Sequence, residues 1–194
     1  MCTENQVKRI IHNWTGKSYP KYCQEFFTFW SLLNLYYSTI NPNLTGDKKL
    51  VLKFGADKNQ LLWTFVKDNA KKLVISECVG YGDGPSKPED EVLNATLYLR
   101  DILGIQQTQV CNSCRKATGC SKTYSTSRKS GIELEALMRI VYQIRNNLFH
   151  GDKFALIMDD GSHVGSDLYQ AERNKDLICI SNNILKDIHA NLIR

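Results

Sequence analysis

Five apolar residues, Leu134, Leu137, Val141, Ile144 and Leu148, recur at spacings of three, four, three and four. That rhythm keeps all five on one side of an α-helix, and it is the clearest periodicity in the chain. A helix with such a stripe must lay it against other elements, which commits the surrounding chain to covering it. The pattern predicts a helix over 132–150. Gly151 suits the left-handed residue that commonly ends one.

Other segments carry the same rhythm. Phe26, Phe29, Trp30, Leu33, Tyr36, Tyr37 and Ile40 predict a helix over 19–40, with Pro20 in its first turn and Asn41-Pro42-Asn43 after its end. Asn34, inside it, reads as a buried, hydrogen-bonded polar pin, with a site residue as the alternative. Residues 6–12 form a short helical candidate. The run 50–54 fits strand or helix equally, since periodicity cannot separate them over so few residues. A helix is predicted over 58–66 with Leu61, Leu62, Phe65 and Val66 inward, and 73–79 is strand-like. Glycines and a proline mark 80–85 as a loop. A further helix is predicted over 88–103, stopped by Gly104. A turn-rich connector over 152–166 holds Asp159-Asp160-Gly161. A last helix over 167–192 turns Leu168, Ala171, Leu177, Ile178, Ile184, Leu185 and Ile188 inward. The fold class expected is a mainly α helical bundle, with one long polar loop over 105–131.

The chain has 194 residues, 42 % hydrophobic and 23 % charged, which suits one domain spanning 1–194. The first 19 residues are polar and interrupted, unlike a signal peptide. The longest apolar stretch, 26–40, is too short to span a bilayer. A cytoplasmic protein is expected. The net charge of +5 is concentrated. Between Ile105 and Ile132 there is no Asp or Glu, while Arg115, Lys116, Lys122, Arg128 and Lys129 fall there. This stretch reads as a patch for a polyanion such as RNA, or as a solvated loop.

The predicted helix 132–150 ends in Arg145-Asn146-Asn147-Leu148-Phe149-His150-Gly151. With Leu148 facing the core and about 100° per residue, His150 and Asn146 fall on the opposite face, one turn apart. Arg145 lies on the flank. The three polar side chains are therefore expected to face solvent or a second subunit. Arg is permanently charged and suits a phosphate, and His moves protons near neutral pH. The end of a helix dipole favours a protonated imidazole.

The segment Ile144-Arg145-Asn146-Asn147-Leu148-Phe149-His150-Gly151 resembles the signature of the HEPN superfamily: an Arg, a polar residue, three more residues, then His. The likeness extends more weakly to the Phe/Trp-rich helix near the start and to the helix after the motif. The resemblance implies a small helical bundle, often dimeric, that cleaves RNA without a metal and serves in toxin–antitoxin or antiviral systems. It implies catalytic roles for Arg145, His150 and Asn146, and no cofactor. RNA, a second copy, and an antitoxin or defence-complex protein are the partners it implies. One branch of the family carries Tyr two residues after the His; here that position is Asp152, so regulation through such a Tyr is not expected. The alternatives are a non-catalytic RNA- or protein-binding module of the same fold and a zinc-stapled interaction domain.

The zinc alternative rests on Cys111-Asn112-Ser113-Cys114 with Cys120 following. Two thiolates at that spacing can grip one zinc, and Cys120 offers a third ligand. A structural site takes four, Cys78 is the nearest further cysteine, and no His is near. Free thiols in a basic loop are the expectation, and no metal is assigned. Cys23 and Cys179 read as core filler. His12, His163 and His189 stand apart from any cluster with ligand spacing and read as surface or satisfied core residues.

Overall fold

The computed structural model of the chain describes residues 19–76, 91–105, 131–149, 155–165 and 168–192. Five helices make up 81 % of these residues, so the fold is mainly α. They are α1 (Lys21–Ile40), α2 (Asp47–Ser76), α3 (Glu91–Ile102), α4 (Glu133–Phe149) and α5 (Leu168–Leu192). A two-stranded antiparallel hairpin, β1 (Leu156–Ile157) and β2 (His163–Val164), lies between α4 and α5, with Leu156 opposite Val164 and Ile157 opposite His163. None of these helices is long and apolar enough to cross a membrane. The expected helix over 6–12 and the loop 80–85 lie outside the described residues.

The α4 stripe is buried as its spacing requires: Leu134, Leu137 and Val141 are sealed, and Ile144 and Leu148 nearly so. Met138 and Ile140 are buried too, because α4 is covered on two sides. α2 packs along one side and α3 along the other. α2 also packs on α5, and α5 on α1, so α2 is the hub of the bundle. One apolar cluster draws from all five helices.

α2 corrects the sequence expectation. The stretch 50–54, the predicted helix 58–66 and the strand-like 73–79 belong, as far as Ser76, to one 30-residue helix. Residues 77–79 lie outside the described residues. Its buried positions, from Leu50, Val51 and Phe54 through Leu62, Val66 and Ala70 to Leu73 and Val74, keep helical spacing throughout. A glycine and a polar run in the middle hide that continuity in the sequence. Leu73, Val74 and Ile75 favour a strand by type, but packing overrides such preferences. Leu61 and Phe65 are about half exposed instead of inward, and so is Leu168 of α5.

Gly55 is required where it stands. A Cβ there would lie 2.6 Å from the Glu135 Cα, so the α2 and α4 backbones touch at this point. One turn on, Asn59 caps α4 from outside: its Oδ1 accepts the Leu134 N–H at 2.8 Å and its Nδ2 donates to Glu133 Oε2 at 2.7 Å. α1 is capped from outside as well. Pro20 offers no side-chain cap, and the Lys21 N–H donates to both Asp159 carboxylate oxygens, at 3.1 and 3.2 Å. Asp159 sits in the hairpin turn, where Gly161 has a φ of +82°. The Tyr22 hydroxyl donates to the Ile157 carbonyl at 2.9 Å and fastens the same hairpin. The connector was expected to be turn-rich, and its paired strands are too short to leave an alternating pattern.

α3 ends at Gly104, φ +62°, as expected. Ile105 donates to Arg100 O at 2.9 Å and Gly104 to Asp101 O at 3.1 Å, a pairing that satisfies the last carbonyls.

Candidate functional site

The last two turns of α4 present Arg145 and Asn146 beside the buried Ile144 and Leu148. Arg145 does not point straight into solvent. Its side chain runs along the flank of α4 to the first turn of α2, where Nη2 donates to Asp47 Oδ2 at 3.0 Å. Nη1 donates to Asn146 Oδ1 at 3.1 Å. The guanidinium is thus held at both terminal nitrogens by oxygens of its own chain, and 22 % of the side chain stays exposed. Asn147, one step further round, is exposed and accepts from Gln143 at 2.9 Å. His150 lies outside the described residues, so the arrangement covers Arg145 and Asn146 of the expected catalytic trio.

Asp47 is the residue that the sequence reading missed. It opens α2, where the helix dipole favours a carboxylate, after the Gly46 turn with φ +93°. Its pairing spans 98 positions of sequence and leaves no local pattern. Lys48, next along, is drawn elsewhere: its Nζ lies 2.7 Å from Glu91 Oε2. Arg139 also bonds Glu91 and, at 3.1 Å, Glu135. The Lys48 ammonium foremost, then Arg139, holds the Glu91 carboxyl below its ordinary range against the opposing effect of burial. Glu91 of α3 thus takes one cation from α2 and one from α4, while Arg145–Asp47 joins α2 to α4 directly; partly exposed pairs of this kind are worth about 0–1 kcal/mol each.

The basic segment is described only at its two ends. Ile105 is buried, and the Gly131 carbonyl accepts the Tyr98 hydroxyl at 2.7 Å. Arg115, Lys116, Lys122, Arg128 and Lys129 lie outside the described residues, as do Cys111, Cys114 and Cys120. No group of His, Cys, Asp and Glu suited to a metal ion occurs among the described residues.

Other polar groups have structural roles. Cys23 is sealed, and burial pushes its thiol up to about 12, so it is a protonated core filler and no nucleophile. Cys179 is half-buried. His189 bonds the Phe29 carbonyl at 2.9 Å, and His163 is exposed on β2; His12 lies outside the described residues. The Tyr37 hydroxyl bonds Asp57, which also holds Lys53 at 2.5 Å. Burial first, then Asp57, raises that phenol. Asn34 is not the satisfied pin expected: it is half-buried, and its Oδ1 has no hydrogen-bond partner among the described residues. An open groove lined by Lys21, Tyr22, Glu25, Asp159 and Lys175 lies by the hairpin and contains none of the expected site residues.

Comparison of the chain with family models, with curated proteins and with solved structures finds no match.

Proposed function

We propose that this chain is a metal-independent endoribonuclease of HEPN type, working as a homodimer. The observation that carries the reading is the Arg145–His150 spacing at the end of a helix whose opposite stripe is buried. Attack of a ribose 2′-OH on its own phosphate needs a base for the hydroxyl proton and an acid for the leaving 5′-oxygen. A His150 from each of two subunits fills those roles. Arg145 stabilises the negative charge gathered at phosphorus by charge-assisted hydrogen bonds. Asn146, bonded to Arg145, shares in presenting that charge. The product is a 2′,3′-cyclic phosphate. Arg115, Lys116, Lys122, Arg128 and Lys129 add affinity for the RNA backbone regardless of sequence. Such an enzyme fits a cytoplasmic toxin–antitoxin or antiviral effector, restrained by an antitoxin or defence partner.

The test is incubation of purified protein with total RNA in EDTA. Wild type is expected to cleave, and His150→Ala to lose about 10²-fold or more, the usual scale for a general acid or base. Equal cleavage by the two proteins would remove the site, and strict dependence on Mg²⁺ would remove the mechanism.

One observation favours a second reading. Arg145 is already bonded to Asp47 and Asn146, as a purely structural arginine would be. Under that reading the bundle is a non-catalytic module that binds RNA or protein. RNA binding without cleavage, unaltered in His150→Ala, would support it.

A further inference from the structure

We propose that Asp47 is the positioning residue for Arg145, an inference that rests on the ribonuclease reading above. An arginine side chain on a helix flank has many rotamers, and a phosphate gains from a guanidinium whose plane is set beforehand. Here two acceptors from different elements set that plane. Asp47 Oδ2 takes Nη2 at 3.0 Å, and Asn146 Oδ1 takes Nη1 at 3.1 Å. Asn146 travels with Arg145 on α4, so it cannot fix the guanidinium relative to the rest of the bundle. Asp47 can, because it belongs to α2.

The frame behind Asp47 is rigid. Its helix meets α4 backbone to backbone at Gly55 and Glu135, and again where Asn59 caps α4. Asp47 therefore sits at the far end of a helix pair already locked in register, on an element and not on a loop. The pairing is also selective. Lys48, adjacent in sequence, goes to Glu91, while Asp47 takes Arg145. Asp47 acts through Arg145 and touches no substrate.

This role has a signature that mere structural support lacks. Asp47 is an anion, so its charge opposes RNA binding while its hydrogen bond orders the catalytic cation. Removing the charge alone should leave affinity unchanged or improved and still slow the chemistry. The experiment pairs two oligoribonucleotides of one sequence, one normal and one with every 2′-OH methylated so that it cannot be cleaved. Affinity is read on the methylated strand by anisotropy, and the rate on the normal strand under single turnover with enzyme saturating. Asp47→Asn is expected to slow cleavage by about 10- to 100-fold, the scale of a misplaced catalytic group. Its affinity for the methylated strand should stay within about threefold of wild type or tighten, since one of many charges near the backbone has changed. Asp47→Glu should recover most of the rate. In an Arg145→Ala background, Asp47→Asn should have no further effect. Melting temperatures confirm that each variant is folded.

Wild-type or faster cleavage by Asp47→Asn would overturn the proposal, making Asp47 a bystander or a brake. So would a loss that appears wholly as weaker binding, or one that persists in the Arg145→Ala background. If wild type cleaves, Arg145→Ala does not, and Asp47→Asn is unimpaired, the Asp47 role alone falls. If Arg145→Ala cleaves like wild type, or wild type does not cleave, the ribonuclease reading falls and the Asp47 role with it.

Discussion

At its start, α4 is joined to α2 by a backbone contact at Gly55 and by the neutral Asn59 amide bonded to the Leu134 N–H and Glu133. At its end, the same two helices meet through an ion pair, Arg145 with Asp47, whose side chains are 22 % and 45 % exposed. The first junction leaves no room for a side chain at Gly55. The second is partly exposed and brings charged groups together. A helix pair built this way can hold a charged group steady at one end because the other end has fixed the register.

The sharpest way to break that contrast is Gly55→Val. Its Cβ would fall 2.6 Å from Glu135 Cα, and backbone cannot step aside as a flexible side chain can. We expect a loss of about 3 kcal/mol or more in urea unfolding, at the upper end for overpacked sites. An unchanged midpoint would mean that the two helices do not touch there. Asn59→Ala should cost less, about 1–2 kcal/mol, the scale of a lost helix cap. Asn59→Asp keeps the acceptor for Leu134 but sets a second carboxylate against Glu133, so it should recover only part of that. At the other end, Arg145→Ala should change stability by about 0–1 kcal/mol, as exposed ion pairs do, whatever it does to RNA. A loss as large as that of Gly55→Val would make Arg145 a structural residue and erase the difference between the two junctions.

The smallest effect concerns pH. The Glu91 carboxyl is held low by Lys48 and Arg139, so it contributes stability above its ordinary value of 4.5. That contribution is lost as pH falls from there through the lower value of the folded state. Glu91→Gln should therefore flatten the decline in stability below about pH 4.5. A slope identical to wild type would show that these charge pairs do not bear on folding.

The sequence was informative where a residue's role is local or periodic. The α4 stripe, the α1 stripe through Phe26, Trp30, Leu33 and Tyr37, and the stop at Gly104 all follow from spacing or backbone conformation. It was less so for α2, because Gly55 and its polar neighbours look like a break in a helix and are its tightest contact. Inward directions failed at Leu61, Phe65 and Leu168, which are about half exposed; on α2 the sealed positions are the neighbours Leu62 and Val66, about 100° further round the helix. The candidate site divides in the same way. Arg145 and Asn146 stand out within one heptapeptide, whereas Asp47 is an ordinary helix-opening acid until the fold brings it to Arg145.

The cap on α1 has a consequence for how the chain is made. The carboxylate of Asp159 that receives the Lys21 N–H is 138 residues further along. At a synthesis rate of about 5–20 residues per second, roughly 7 to 28 s pass between the two emerging from a ribosome. For that interval α1 has neither its cap nor α5 to lie on, and its Phe26, Trp30 and Leu33 face have no final home. The first of the described helices to be synthesised is thus among the last to be secured, which makes it the natural stretch for a chaperone to hold.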